Sequence, residues 1–386
     1  MKILEITNYT AGGCGVGARV LRESKLFAER GHKIEIFSTN LEKGTNRICP
    51  THELINKIII RRFPFIKLGG ESYMYWSFEK AAKSFEPDII IAHAYRHIHT
   101  LLALRVARTL KCPIILVTHA PFDRGKSRTK LQRVFVSLYD HYIGKNVINS
   151  FSKIMYIAKW EIPYLVAIGA KREKMVYSPN GLSDIFFKKI VSKSVPKSII
   201  YTGRITSIKN IDLLLTALSK VKEDYIFRAI GPVEKDYETH LNSLIIKFNL
   251  NNAKIINKLY NSNEQIKELD NSSIFVLPSK SEGQPQVLLE AMARGKIVIA
   301  SNNKGNKDII LHGKNGYLFE SENVNALAKT IKLVLNLTKK EINHLSSEAI
   351  KTANSFRWKF LITQLEKNII GLVYKSNIKL QNSPTS

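Results

Sequence analysis

The most informative stretch of this chain covers residues 278–295 and reads PSKSEGQPQVLLEAMARG. It directly follows residues 274–277, an apolar run that is typical of a strand buried on both faces of a sheet. Pro285 suits the first position of a helix, and Gly295 suits the residue just past its end. The stretch therefore predicts a buried strand, a short loop and a helix, which together are the repeating unit of an α/β fold.

The same alternation of short apolar runs and amphipathic helical patterns extends in both directions along the chain. Strands joined by helices form parallel sheets with right-handed crossovers. The pattern ends near Pro179-Asn180-Gly181 and starts again after a segment rich in Lys, Ser and Val at 188–197. We therefore expect two doubly wound, Rossmann-like domains that face each other across a cleft lined by the carboxyl ends of their strands.

The composition excludes several classes of protein. Of the 386 residues, 44% are hydrophobic, which is enough for real cores and excludes a disordered or fibrous chain. The three cysteines form no CxxC pair, which excludes a disulfide scaffold and a cysteine zinc site. No apolar run approaches the ~18 residues of a membrane span, and the first residues do not resemble a signal peptide. We therefore expect a cytoplasmic protein.

The charge balance is strongly basic. The chain has 59 Lys and Arg against 32 Asp and Glu, a net charge of +27, which points to nucleic acid, an anionic membrane or a phosphorylated substrate. No zinc module, RNA-recognition signature or single basic helix is present, so we expect no nucleic acid. Residues 124–136 and 61–67 interleave cations with apolar residues, as in segments that lie on membranes. The alternative is an ordinary amphipathic element whose wet face is basic.

Two pairs of charged residues are candidates for chemistry. Arg204 and Lys209 follow the first strand of the second domain, where the next helix begins, so they can bind a diphosphate. Glu282 lies in the loop and Glu290 in the helix of the 278–295 stretch. One carboxylate can accept hydrogen bonds from a sugar and the other from a ribose diol. Taken alone, each pair is also explained by solvated or locally satisfied charges.

A glycine-rich loop, GGCGVGA at 12–18, follows the first strand and opens a helix. Such loops bring backbone N–H groups close to a phosphate or a dinucleotide. The second strand, at 34–40, ends without the acidic residue that binds the ribose of NAD, which disfavours a nicotinamide cofactor. The alternative is a tight turn that leaves a ligand room to approach.

These motifs resemble those of the retaining glycosyltransferases of family 4. The match consists of Pro-Asn-Gly at 179–181, Gly203-Arg204 with Lys209, and the paired glutamates within Pro-Ser…Glu-Gly…Leu-Glu-Ala-Met-Ala…Gly. The resemblance implies a GT-B fold, with an acceptor-binding domain at 1–187 and a nucleotide-sugar-binding domain at 188–357. It also implies that the last helix, 358–375, crosses back onto the first domain, and the polar residues 376–386 should form a flexible tail.

The resemblance also implies a role for each matched residue in binding the donor. Arg204 and Lys209 would bind the diphosphate, Glu290 the nucleotide ribose, and Glu282 the hydroxyls of the transferred sugar. The glycines of the same motifs complete this set, namely Gly203 and Gly283.

In the first domain, His119 occupies the place of a family histidine near the reacting sugar, although it could instead be bonded only to local backbone. Gly12 and Gly13 would let the first domain close on the donor. The chain departs from the family pattern at Gln284 and Gln286. These departures leave the donor sugar open, and we expect a UDP or GDP type of nucleotide.

The reaction implied is transfer of a sugar, with retained configuration, to a hydroxyl of a glycan or lipid-linked acceptor in surface glycan, polysaccharide or glycoprotein-glycan synthesis. No cofactor is expected beyond the donor substrate. No metal is expected either, because the chain has no Asp-x-Asp motif and cations can neutralise the diphosphate. Three alternatives are a glycoside hydrolase, which has no need of the Arg/Lys pair, a catalytically silent GT-B scaffold, and a polyanion-binding protein.

Overall fold

The computed structural model of the chain describes residues 1–122, 129–189 and 194–381. The chain divides into two compact units, Met1–Pro179 with Phe360–Ser386, and Asn180–Lys359. The sequence prediction put the boundary after residue 187 and the return at 358. The observed boundary lies earlier because the chain joins the second unit as soon as it leaves the first. The N–H of Leu182 already donates to the carbonyl of Phe356 at 2.7 Å.

The first unit is built on a mostly parallel sheet. Its strands are β1 (Lys2–Ile6), β2 (Lys33–Thr39), β3 (His52–Ile55), β4 (Ile58–Phe63), β5 (Ile66–Lys67), β6 (Met74–Tyr75), β7 (Ile89–His93), β8 (Ile114–Val117), β9 (Lys153–Tyr156) and β10 (Met175–Tyr177). Eight of them form one sheet in the order β10-β9-β8-β7-β1-β2-β4-β3, in which β3 alone runs antiparallel to its neighbour. The strands β5 and β6 form a separate antiparallel pair.

Helices cover both faces of this sheet, as the apolar strands β1 and β7 require. The helices of this unit are α1 (Gly15–Glu29), α2 (Glu79–Phe85), α3 (Ile98–Leu110), α4 (Lys130–Leu138), α5 (Lys145–Val147) and α6 (Ile162–Ala167), together with a helix from the chain end, α14 (Trp358–Gln381); α4 lies away from the sheet, with no buried residue along its length. Buried Ile362, Leu365 and Ile369 of α14 belong to the same core cluster as Ile3 and Ile34. The helix therefore continues past residue 375, into the segment predicted as a tail, and residues 382–386 lie outside the described residues.

The second unit has a parallel sheet of six strands. They are β11 (Ser198–Thr202), β12 (Ile226–Gly231), β13 (Ala253–Asn257), β14 (Ile274–Leu277), β15 (Ile297–Ser301) and β16 (Tyr317–Phe319), in the order β13-β12-β11-β14-β15-β16. The helices are α7 (Ile211–Leu218), α8 (Lys235–Lys247), α9 (Ser262–Asp270), α10 (Gln286–Ala293), α11 (Lys304–Lys307), α12 (Val324–Leu335) and α13 (Lys339–Asn354). Two Rossmann-like sheets confirm the predicted α/β fold.

The two ends of the second unit lie side by side. Besides the bond to Phe356, the carbonyl of Leu182 accepts from the N–H of Trp358 at 3.1 Å. Gly181 is required here because a Cβ at this position would lie 2.3 Å from the Trp358 ring. The predicted linker at 188–197 includes four positions, 190–193, that lie outside the described residues. Among the helices that the structure describes, none is long and apolar enough to cross a membrane.

Candidate active site

The loop after β14 brings together two of the predicted residues. Glu282 lies in this loop, and its Oε1 accepts a hydrogen bond from Lys209 Nζ at 2.7 Å. Both side chains are mostly buried, with 10% of Glu282 and 19% of Lys209 exposed. Lys209 closes a short 3₁₀ turn directly before α7. Pro285, predicted as the first residue of α10, is instead its N-cap, because its own backbone is extended, with φ −73 and ψ 106.

Glu290 lies on the second turn of α10 and has partners that the sequence did not indicate. Its Oε2 accepts from Gln265 Nε2 at 2.5 Å, and the same nitrogen lies 3.3 Å from Thr202 Oγ1. Burial raises the pKa of Glu290 to about 7. Tyr260 bonds to the same Thr202, and its pKa is raised, mainly by burial. A carboxyl group that is partly protonated at neutral pH therefore lies beside the end of β11.

Arg204 differs from its neighbours because its side chain is exposed. Its guanidinium makes no hydrogen bond or ion pair with any residue in the described part of the chain, whereas its carbonyl accepts from the buried Tyr201 hydroxyl at 2.7 Å. The turn is tightly packed. Gly203 has φ +135, and a Cβ on Gly231 would lie 1.9 Å from the Gly203 carbonyl oxygen. Sequence reasoning missed Gly231, and the turn presents Arg204 as a cation open to a ligand.

The backbone of Glu282-Gly283 is in close contact with the loop after β15. A Cβ at Gly305 would lie 2.4 Å from the Glu282 carbonyl oxygen and 2.8 Å from that of Gly283. The sequence has a single glycine at 304–308. That glycine stands at the point of closest approach, so it is the one that the packing requires.

The two glutamines that depart from the family pattern bind backbone. Gln284 Oε1 accepts from the N–H of Asn180 at 2.6 Å, while its Nε2 donates to the Asn180 carbonyl at 3.3 Å. Gln286 Nε2 lies 3.5 Å from the same carbonyl oxygen. These side chains therefore hold the start of the second unit against the loop that carries Glu282.

His119 lies in a strained turn directly after β8. His119 and Ala120 both adopt left-handed backbone, with φ +59 and +51. Residues with side chains pay roughly 1–3 kcal/mol for such strain, which is concentrated at functional sites. The fully buried carboxylate of Glu161 supports the turn, accepting from Thr118 Oγ1 at 2.6 Å and from the Ala120 N–H at 3.1 Å. Sequence reasoning missed Glu161.

The ring of His119 packs against a second histidine. His119 Nε2 lies 2.9 Å from His93 Nδ1, and His93 Nε2 lies 2.6 Å from Glu5 Oε2. Burial raises the pKa of Glu5 to about 8 and lowers that of His93 to about 3. Burial also lowers the pKa of His119 well below its usual value. His93 thus forms hydrogen bonds with both the predicted residue His119 and the buried carboxyl of Glu5.

The sequence models of two protein families match consecutive parts of the chain. Glycosyltransferase Family 4 matches residues 13–184, and Glycosyl transferases group 1 matches residues 183–352. The chain belongs to glycosyltransferase family 4. An uncharacterized glycosyltransferase of Haemophilus influenzae is 31% identical over 39% of this chain, which spans 42% of that relative's length. The alpha-monoglucosyldiacylglycerol synthase of Streptococcus pneumoniae is 24% identical over 87% of this chain and 78% of its own length.

A solved structure of Anabaena HepE, in complex with UDP and glucose, has the same fold. Its TM-score is 0.72 at 16% sequence identity, and the match covers 96% of this chain and 100% of that one. In this family 4 glycosyltransferase, the predicted residues fall into two groups. Arg204, Lys209, Glu282 and Glu290 lie at the strand ends of the second unit, and His119 lies in the first.

The glycine loop of the first unit has a local structural role. Gly12 has φ +80, and a Cβ there would lie 2.3 Å from the Lys43 carbonyl oxygen. Around Gly13 there is open space. Cys14 is the N-cap of α1, where its Sγ accepts from the Gly17 N–H at 3.4 Å. The thiol therefore takes the place of the hydroxyl or carboxylate that usually caps a helix.

One buried polar cluster has the spacing of a metal site. The potential ligand atoms of Glu5, Glu23 and His93 lie within 4.8 Å of one another. The cluster is already paired internally, because Arg19 Nε donates to Glu23 Oε2 at 3.0 Å and His93 bonds to Glu5. Arg19 also binds the Ser178 carbonyl at 2.7 Å. Since a guanidinium already supplies the positive charge, we assign no metal to these residues.

Proposed function

We propose that this glycosyltransferase moves a sugar from a nucleoside diphosphate to a hydroxyl of a glycan or lipid-linked acceptor, with retained configuration. The observation that carries the proposal is the 2.7 Å contact between Lys209 and Glu282, on the same unit as Arg204, whose guanidinium has no hydrogen-bond or ion-pair partner among the described residues. A cation for the diphosphate and a carboxylate for the sugar hydroxyls are thus already held together. The UDP and glucose in HepE are of the same ligand class.

The chemistry that these residues supply is stabilisation of the leaving group. When the bond between the anomeric carbon and the diphosphate oxygen breaks, negative charge develops on the diphosphate. Arg204 and Lys209 can stabilise that charge without a metal. The acceptor oxygen then bonds to the anomeric carbon, and its proton passes to a departing phosphate oxygen on the same face. Glu282 positions the sugar in this scheme, whereas a hydrolase would need it as an acid or nucleophile.

Glu290 is proposed to bind the ribose. Its pKa of about 7 means that the carboxyl is partly ionised at neutral pH. The ionised form accepts a hydrogen bond from each hydroxyl of a vicinal diol, so nucleotide binding should favour ionisation and release a proton. Gln265 already donates to this carboxyl and would keep it oriented.

The membrane part of the proposal rests on α4, which overlaps the predicted basic segment 124–136. Positions 123–128 lie outside the described residues, but no residue of α4 is buried. Apolar side chains at spacings of three and four leave one face uncovered. They are Leu131, Val134, Phe135, Leu138 and, in the π-helical continuation, Tyr142, with 47% to 66% of each exposed.

The chemistry of this face suits an anionic lipid surface. Lys130 and Arg133 lie exposed on the same helix, and each cation near such a surface contributes about 1 kcal/mol. The segment is anchored to the unit, because Arg96 binds both carboxylate oxygens of Asp140, at 2.8 and 2.5 Å. We propose that α4 docks on the cytoplasmic leaflet, the surface in which a lipid-linked acceptor is embedded. The pneumococcal relative is named for a glycolipid product.

The predicted segment at 61–67 has no part in this proposal. Arg62 is buried, donating to Thr10 Oγ1 at 2.9 Å and to the Pro50 carbonyl at 3.1 Å. Arg61 pairs with Glu35 at 3.6 Å. These cations serve the fold of the first unit and are not available to lipid.

The donor site is tested by calorimetric titration with UDP, GDP and ADP. Arg204→Met should weaken binding of the preferred nucleotide by about 10- to 100-fold, because it removes a charge-assisted hydrogen bond from an exposed residue. Arg172→Met, at an exposed arginine of the first unit, is the matched control and should bind normally. Binding of no nucleotide by folded protein, or equal loss in both variants, would refute the donor site.

The membrane proposal is tested separately with vesicles of anionic and of neutral phospholipid. The protein should sediment with the anionic vesicles at low salt, and Phe135→Glu should reduce the bound fraction about tenfold, since burying one such side chain contributes about 1.5–3 kcal/mol. Ile246→Glu is the control, because Ile246 is 80% exposed on α8 of the second unit. Absence of binding to anionic vesicles would remove the membrane step and leave the donor site standing.

A further inference from the structure

A buried chain of three side chains lies behind the half-buried ring of His119. Glu5 Oε2 is 2.6 Å from His93 Nε2, and His93 Nδ1 is 2.9 Å from His119 Nε2. Glu5 comes from β1, His93 ends β7, and His119 follows β8, so three adjacent strands each supply one member. Glu5 and His93 are 0% exposed. The reaction proposed above makes no use of Glu5 or His93.

The two hydrogen bonds that join Glu5, His93 and His119 restrict which atoms of these side chains can have a proton. A neutral imidazole has one N–H, so if one ring nitrogen donates, the other must accept. Burial lowers the pKa of His93 to about 3 and that of His119 well below its usual value, so both rings are neutral. Fixing the proton at Glu5 therefore fixes the tautomer of His93, and that in turn fixes the tautomer of His119.

Two arrangements follow when the proton of Glu5 is gained and lost at Oε2, the oxygen that faces His93. When Glu5 is protonated, its hydroxyl donates to His93 Nε2, His93 Nδ1–H donates to His119 Nε2, and His119 has its proton on Nδ1. When Glu5 is ionised, His93 Nε2–H donates to the carboxylate, His119 Nε2–H donates to His93, and His119 Nδ1 is an acceptor. In the structure, His119 Nδ1 makes no hydrogen bond with any described residue, so a ligand can use it.

We propose that Glu5 and His93 are positioning residues that determine whether His119 offers a hydrogen-bond donor or an acceptor at Nδ1 to the sugar. This inference rests on the proposed function, since it takes His119 to lie near the transferred sugar, as the family resemblance implies. Glu5 and His93 touch no substrate and act only through His119.

Other charged groups face the same chain. Glu23 and Arg19 of α1 form an ion pair at 3.0 Å beside Glu5, and burial together with the charge of Glu5 raises the pKa of Glu23. The pH at which Glu5 changes state therefore belongs to the carboxyl pair. Burial raises the pKa of Glu5 to about 8, which makes the Nδ1–H donor the form at neutral pH. Two further histidines lie on the α3 side, His97 and His99.

Two-bond ¹H–¹⁵N spectra of histidine-labelled protein identify which ring nitrogen has the proton, with no need for substrate or activity. The His119 signals are assigned by their loss in His119→Gln. From about pH 6 to about pH 10, His119 should change from the Nδ1–H to the Nε2–H tautomer, with a midpoint near the pKa of about 8 for Glu5. In Glu5→Gln no group titrates at this position, so the tautomer should no longer depend on pH.

Glu35→Gln is the matched control, because burial also raises the pKa of Glu35 in the same unit, but Glu35 pairs with Arg61 outside this chain. The control should titrate as the wild type does. A His119 tautomer that stays constant in the wild type, or still changes in Glu5→Gln, would overturn the proposal. If Glu5→Gln fails to fold, the wild-type titration alone still tests it.

Activity gives a second measurement. The pH profile of kcat/KM should have a step near pH 8 that Glu5→Gln lacks and Glu35→Gln retains. A His119 tautomer that changes with pH, in a protein that binds no nucleotide, would support the positioning role of Glu5 and His93 and refute the donor site. Normal nucleotide binding with a constant His119 tautomer would support the donor site and refute the positioning role of Glu5 and His93.

Discussion

Replacing Glu161 with Gln should loosen the strained turn that holds His119. One carboxylate oxygen accepts from Thr118 Oγ1 at 2.6 Å and the Ala120 N–H at 3.1 Å, and the other from the N–H groups of Ile157 at 2.8 Å and Ala158 at 3.1 Å. In Glu161→Gln an amide NH₂ must replace one oxygen and face two donors. The least costly orientation turns it toward Thr118, whose hydroxyl can accept, and leaves the Ala120 N–H without an acceptor.

The magnitude follows from these four contacts. Losing one buried hydrogen bond to a charged group costs roughly 1.5–3 kcal/mol, and weakening the others from charged to neutral adds about 1 kcal/mol. We therefore expect local opening of the turn to become easier by about 3 kcal/mol, which is about a 100-fold increase in amide exchange at 1.4 kcal/mol per tenfold.

Hydrogen exchange measured by mass spectrometry on the peptide that contains Ala120 tests this value. The measurement belongs at about pH 8, because burial raises the pKa of Glu161 to about 7 and the carboxyl must be ionised. Glu173→Gln, at an exposed glutamate of the same unit, is the control and should exchange as the wild type does. Exchange in Glu161→Gln within about threefold of the control would refute the view that this carboxylate holds the turn.

Three further predictions concern the second unit. Gly305→Ala should reduce donor binding at least about tenfold, since its Cβ would lie 2.4 Å from the Glu282 carbonyl oxygen; calorimetry checks this, with Gly371→Ala, whose Cβ meets open space, as control. Burial raises the pKa of Glu290 from 4.5 to about 7, so its contribution to stability is present below about pH 4.5 and lost as pH rises through 7. Thermal unfolding should show this loss, at most about 3 kcal/mol, and Glu290→Gln should abolish it. Arg294→Met should destabilise the unit by about 3–5 kcal/mol in urea unfolding, because the buried carboxylate of Asp270, which accepts from Arg294 Nε at 2.7 Å, loses its partner. An unchanged unfolding midpoint would contradict this.

The sequence was a good guide wherever local pattern determines structure. The stretch at 278–295 predicted a buried strand, a loop and a helix, and β14 and α10 are found there. The pattern also indicated that Lys209 and Glu282 belong near strand ends, although not that they bond to each other. That contact depends on two loops separated by 73 positions, and no spacing rule relates them.

The buried polar groups could not be predicted, for a physical reason. Glu5 lies in the run KILEI of β1, where a single acid in a short strand usually faces solvent. Its burial follows from coverage of both sheet faces, and its partner His93 is 88 positions away. The same holds for Gln284, which looked like a departure from the family pattern and proves to bind the backbone of Asn180, 104 positions away. Such pairings arise only once the sheet is assembled.

The second unit is one uninterrupted stretch of chain whose two ends lie side by side. The chain enters the unit at Asn180 and leaves it after Lys359. Near these two points, backbone hydrogen bonds of 2.7 and 3.1 Å join Leu182 to Phe356 and Trp358. A domain whose ends meet can be inserted, exchanged or expressed alone without rethreading its host. Recombination at two neighbouring points can therefore exchange this unit for another one, while the first unit keeps its own sheet and the helix α14 that packs on it.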